Sequence, residues 1–212
     1  DVVRLSSHLD APWDSAVEGA SGAALVLAQA RYWVAQPVEQ RPHRLVFVLH
    51  AGQFADGAGA RRYVEDHPRE QDRLVLHMVL EQAALEAEAQ PGDAPVATER
   101  PAPRWFFTSR IPRLEQTVME ACAVEAVHRS MLLAPDAVPG QSPADGPYPY
   151  DEEVPLVHLR SLPHYIYDPG DTAELVDQEA LAPLTRATVR IVASTSGVSA
   201  NAMRSAEFSA SG

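Results

Sequence analysis

Strand-length apolar runs that alternate with helix-periodic stretches constrain this 212-residue chain more than any other feature. Leu45-Val46-Phe47-Val48-Leu49 has no polar residue in it, the pattern of a strand buried on both faces of a parallel sheet. Residues 2–5, 74–80, 105–108 and 154–159 read as further strands. Between them the spacing predicts a helix from residue 21, with Ser21 as its N-cap, and one over 58–66 that stops before Pro68. Others are expected over 113–130 and from an Asp177 cap to about residue 192. Residues 81–88 read as a short helix or strand, and 90–103 and 135–149 as turn-rich loops. Alternating β and α units predict an α/β three-layer sandwich: a mixed, mostly parallel sheet with helices on both faces. Length favours one domain over residues 1–193, followed by a Ser/Ala-rich tail over 194–212.

Charge and composition exclude several functions. Seventeen basic residues, all arginine, stand against 29 acidic ones, for a net charge of -12. That balance argues against nucleic acid as a partner, since phosphate binding needs clustered positive charge. With no lysine there is neither a Schiff-base nor a P-loop lysine. The longest apolar runs are far short of the roughly 20 residues that cross a bilayer. The single Cys122 excludes an internal disulfide and falls on the apolar face of a predicted helix, so it reads as core. No charged-then-apolar leader opens the chain, which starts strand-like at Asp1.

The chemistry-bearing pattern is Ser7-His8-Leu9-Asp10 at the end of the first strand, then Glu18-Gly19-Ala20-Ser21-Gly22 opening a helix. A histidine and carboxylates at a strand's C-terminal end occupy the place where open α/β sheets put ligand sites, and they are residue types that zinc takes. Ser21 lacks a nucleophile elbow. No G-x-G-x-x-G follows Gly57-Ala58-Gly59, which leaves no dinucleotide fingerprint. Glu81, Glu86 and Glu88 read as a solvated acidic face.

Taken in order, these segments resemble the two-zinc aminopeptidase family, which includes glutaminyl cyclases and the transferrin-receptor ectodomain. His8-Leu9-Asp10 resembles its H-x-D. Residues 18–24 resemble its D-[DN]-x-S-G-[VA]-A helix start, and residues 45–60 its strand and turn with a Glu-Glu pair. Val154-Pro155-Leu156 resembles its G-I-P strand, and residues 167–177 its late H-T-x-x-D segment. The resemblance implies a zinc-aminopeptidase-like fold. It makes His8 a zinc ligand, Asp10 the acid orienting it, and Glu18 the carboxylate bridging two ions. The Glu-Glu pair, general base then ligand, falls on Gly52 and Gln53; the next ligand falls on Glu81, with His77 as the other candidate; the last falls on Tyr167. His50, His158 and His164 lie near predicted strand ends as further metal-capable groups.

With base and ligands replaced, the expectation is a catalytically inactive scaffold, binding module or assembly subunit with a protein or peptide partner and no cofactor. The alternative is an active zinc aminopeptidase with altered ligands. The resemblance also implies an extracellular or periplasmic setting, and further strands before this chain's first, hence a sheet edge left open.

Overall fold

The structure, a computed structural model, describes residues 1–89, 92, 94–140 and 154–205. Among the described residues eight strands form: β1 Val2–His8, β2 Arg44–His50, β3 Leu74–Leu80, β4 Leu85–Glu88, β5 Val96–Pro101, β6 Arg104–Thr108, β7 Ser130–Leu133 and β8 Leu156–Arg160. The helices are α1 Gly22–Ala35, α2 Ala58–Asp66, α3 Pro68–Gln71, α4 Pro112–Val124, α5 Gln178–Ala193 and α6 Ala200–Ser205. Six strands make one sheet in the order β2-β1-β3-β8-β6-β7, and β4 pairs with β5 as a separate ribbon. The first four of that order run parallel; β6 and β7 run parallel to each other and antiparallel to β8. This is the mixed, mostly parallel α/β sandwich that the alternating pattern predicts.

Side-chain alternation gives the sheet two different faces. On one, Val3, Leu5, Met78, Leu80, Leu159 and Phe106 merge with Leu25, Leu114 and Ile191 from α1, α4 and α5 into the main core. The other carries Arg4, Ser6 and His8 beside His50 and His77, under Ala60, Tyr63 and Val64 of α2. Arg4 pairs with Glu70 of α3 at 2.8 Å, and Tyr63 hydrogen-bonds the same carboxylate, so α2 and α3 are tied to this face by buried charge.

Several local expectations are revised. Ser21 is not a side-chain cap: its hydroxyl donates to Val17 O and accepts from Ala83 N, which tethers a single π-helical turn, Ala16–Ser21, to the end of β3. Glu81 is buried at 1% exposure and so is not part of a solvated face. The helix expected over 113–130 ends at Val124, and Ser130 opens β7. Asp177 does cap α5, accepting from Ala180 N. Within the expected tail, α6 buries Ala200 and Met203 in the main core, and Arg204 donates to Gln71 O and Asp72 O. Residues 206–212 and most of the 135–149 loop lie outside the described residues. Cys122 is buried, as its position on α4 predicts.

Candidate active site

Parallel β2, β1 and β3 all end at one edge of the sheet, and their last residues build the cleft. β1 delivers His8, β2 delivers His50 and the turn that follows it, and β3 delivers Glu81 immediately after Leu80. The π-helical turn brings Glu18 over the same point because Asp171, from the distant 167–177 segment, accepts both Val17 N at 2.8 Å and Glu18 N at 3.0 Å.

His8 Nε2 lies 3.6 Å from Glu18 Oε1 and 4.0 Å from Glu81 Oε1, all three side chains being almost wholly buried. Between Glu81 and His77, the two candidates for one position, it is therefore Glu81 that reaches His8. His77 lies further down the same sheet face, 2.8 Å from Ser6 Oγ. His8 Nδ1 meets the backbone carbonyl of Asp10 at 2.8 Å. The Asp10 carboxylate, expected to orient His8, instead accepts Gly52 N and Gln53 N and pins the turn after β2. Tyr167 stands at the mouth, half-exposed, in an edge-to-face contact with Phe54, whose ring also meets His8 edge-on. His50 sits at the end of β2, while His164 is exposed.

The electrostatics follow from burial. Desolvation, reinforced by the charge of Glu81, raises the Glu18 pKa above the ordinary carboxylate value. Burial would raise Glu81 too, but His158 at 3.0 Å and the Arg160 guanidinium at 3.3 Å outweigh it and hold the carboxyl well below its usual range. Burial also lowers His158, against the opposing pull of the Glu81 carboxylate. Burial and the Glu18 charge push Tyr167 up to about 12. Burial, then the neighbouring His8, lowers His50 to about 4.

Arg160, Gln82 and Phe54 complete the site without any motif that announces them, whereas Asp171 lies within the 167–177 segment singled out in the sequence. Gln82 takes a positive φ of 56° and bridges Glu18 Oε2 to Ser161 N. Trp13, Ser15 and Tyr167, from the loops about the cleft, also hold positive φ; a non-glycine residue pays strain for that, and such strain gathers at functional sites.

Measured against a two-zinc cage, this donor set is incomplete. Gly52 has no side chain, and its φ of 85° together with a Cβ position 3.1 Å from Gly59 N disfavours any other residue there. Gln53 offers a neutral amide and Tyr167 a protonated phenol, so beyond the shared Glu18 a second ion would find no charged ligand. Among the described residues, no group of three His, Cys, Asp or Glu side chains has the geometry of a formed metal site.

Neither a protein-family profile nor a curated protein sequence matches the chain. Solved structures do. The LapA aminopeptidase of Legionella pneumophila matches with a TM-score of 0.67 at 14% identity, over 92% of this chain and 51% of that one. BSAP, a zinc aminopeptidase from Bacillus subtilis, matches with a TM-score of 0.66 at 15% identity, over 91% of this chain and 45% of that one. The gamma-secretase component nicastrin matches with a TM-score of 0.66 at 9% identity, over 98% of this chain and 44% of that one. The chain spans about half the length of these structures. The fold of this chain is that of the zinc aminopeptidases.

Proposed function

We propose that this domain is a peptidase-like module that does not hydrolyse peptides and works by holding a protein or peptide partner, as a scaffold, binding module or assembly subunit. The observation that carries this reading is Gly52. Hydrolysis of a peptide bond by an ion-bound water needs a base to take the water's proton, and glycine at the base position supplies none. Losing general-base help costs about 100- to 10,000-fold in rate. Exposed Leu9, Trp13, Phe54 and Tyr167 stand on the loops about the cleft and suit an apolar or aromatic segment of a partner. Nicastrin, a component of a larger assembly by its own description, lends the assembly reading a structural parallel.

A working zinc aminopeptidase with altered ligands is the second reading. It is favoured by the buried His8 Nε2 and Glu81 Oε1, neither of which has a hydrogen-bond partner. The two readings separate in an assay of amino-acid release from unblocked peptides with zinc, manganese or cobalt added. No release above background is expected. Metal-dependent turnover that disappears in His8→Ala would overturn the first reading and establish the second.

A further inference from the structure

The two edges of the main sheet are not finished alike. β7 closes one side with four residues, too short to template much of a partner strand. β2 closes the other with seven, and among the described residues it pairs with β1 alone. Between Arg44 and His50 it has no charge, no proline and no bulge, the devices that usually keep an edge strand from pairing. Its five central side chains are apolar and each only partly buried. Leu45, Phe47 and Leu49 lean on the main core, Val46 packs with Val2, Leu74 and Val154, and Val48 lines the space under α2. The strand is therefore supported on both faces and open along its outer side.

The pairing with β1 fixes which backbone groups point outward, because residues of a strand in a parallel pair turn their N–H and C=O alternately to either side. His50 O accepts Leu9 N, so His50, and with it Val48, Val46 and Arg44, turns its peptide groups toward β1. Leu45, Phe47 and Leu49 therefore aim theirs away from the sheet. The register from Val2↔Arg44 to His8↔His50 is unbroken, so the alternation holds along the whole strand.

Leu45-Val46-Phe47-Val48-Leu49 reads the same in both directions. An antiparallel partner of the same sequence, centred on Phe47, sets Phe47 against Phe47, Val46 against Val48 and Leu45 against Leu49. A two-fold interface has to be complementary to itself in this way. Phe47 also belongs to the outward set, which a hydrogen-bonded pair lying on the axis requires. The pairs at 47 and at 45 with 49 supply about six inter-chain hydrogen bonds, and aromatic and β-branched residues make favourable cross-strand pairs. Arg44 of each copy comes opposite the end of β2 where the Asp10 carboxylate pins Gly52 and Gln53, so unlike charges meet there.

We propose that β2 is a homodimerisation strand: a second copy of this chain pairs with it antiparallel about a two-fold axis at Phe47, joining the two six-stranded sheets into one. This pairing does not depend on whether the cleft hydrolyses peptides.

The test is sedimentation velocity of the whole chain from about 1 to 100 µM, with cysteine cross-linking to fix the register. A species of twice 23.0 kDa is expected to grow with concentration. Under mild oxidation a mixture of Val46→Cys and Val48→Cys should cross-link between copies, because these positions stand about 4.5 Å apart between Cα atoms. Neither variant alone should do so, since like positions are about 7–8 Å apart. Phe47→Lys, checked for folding by its thermal melt, sets like charges together at the axis and should weaken dimerisation at least about 100-fold. A monomer at every concentration overturns the proposal and leaves this edge to a strand of a different polypeptide. A dimer whose mixed cysteine variants do not cross-link, or one that folded Phe47→Lys leaves intact, overturns it in favour of another surface. Cross-linking by either cysteine variant alone means another register and overturns it as well.

Discussion

His50 shows how one residue's surroundings set its behaviour. It ends β2 at 7% exposure, and burial followed by the nearby His8 lowers its pKa to about 4. An unfolded histidine titrates near 6.5, so the unfolded chain takes up this proton first as pH falls. His50 therefore leaves stability intact above about pH 6.5 and withdraws it progressively as pH drops toward 4, by up to about 3 kcal/mol. His43, His77 and His158 are lowered in the same direction and add to the slope. Urea denaturation of His50→Gln between pH 7 and pH 4.5 should show a shallower loss of stability than the parent. Parallel curves would contradict the buried, neutral assignment. At this scale the sequence was informative about residue types and silent about partners. His8 and Glu18 were legible because they sit in a compact motif. Arg160 was not, because only the pairing of β3 with β8 brings it beside Glu81, and neither was Gln82, whose reach to Glu18 depends on the packing of the π-helical turn against the end of β3.

Elements were legible where hydrophobic periodicity was strong and illegible where it was weak. The apolar runs in β2 and β3, and the Asp177 cap of α5, follow from local composition alone. β5 and β7 do not. Val96–Pro101 is largely exposed, carries Glu99 and Arg100, and pairs only with β4, while Ser130–Leu133 is a four-residue edge strand. Neither buries enough apolar surface to impose a period. The joint between β6 and α5 shows what holds such elements in register. Arg104, 1% exposed on β6, forms an ion pair with Asp177, which also caps α5 through Ala180 N. Asp177→Ala would remove both interactions and leave a buried guanidinium without its counter-charge. A destabilisation of about 3–5 kcal/mol is expected by chemical denaturation. A loss below about 1 kcal/mol would mean that Arg104 finds another partner.

For the whole molecule, the parallel sheet fixes where chemistry can gather, because the ends of β1, β2 and β3 lie side by side whatever residues occupy them. The chain has this architecture, and at the positions that the family resemblance assigns to the base and the second-ion ligands stand Gly52, Gln53 and Tyr167. Gln53 is well placed for such a substitution to be read: its N–H is anchored on Asp10, and its amide oxygen is buried without a partner. The central claim of the proposed function is that these positions correspond to the base and second-ion ligands of a two-ion cage and that their present residues cannot serve as such. Zinc bound per chain in the double variant Gln53→Glu/Tyr167→His, compared with the parent, tests it most directly. One more zinc per chain than in the parent is predicted; the same count in both would contradict the placement of Gln53 and Tyr167 at the second-ion site.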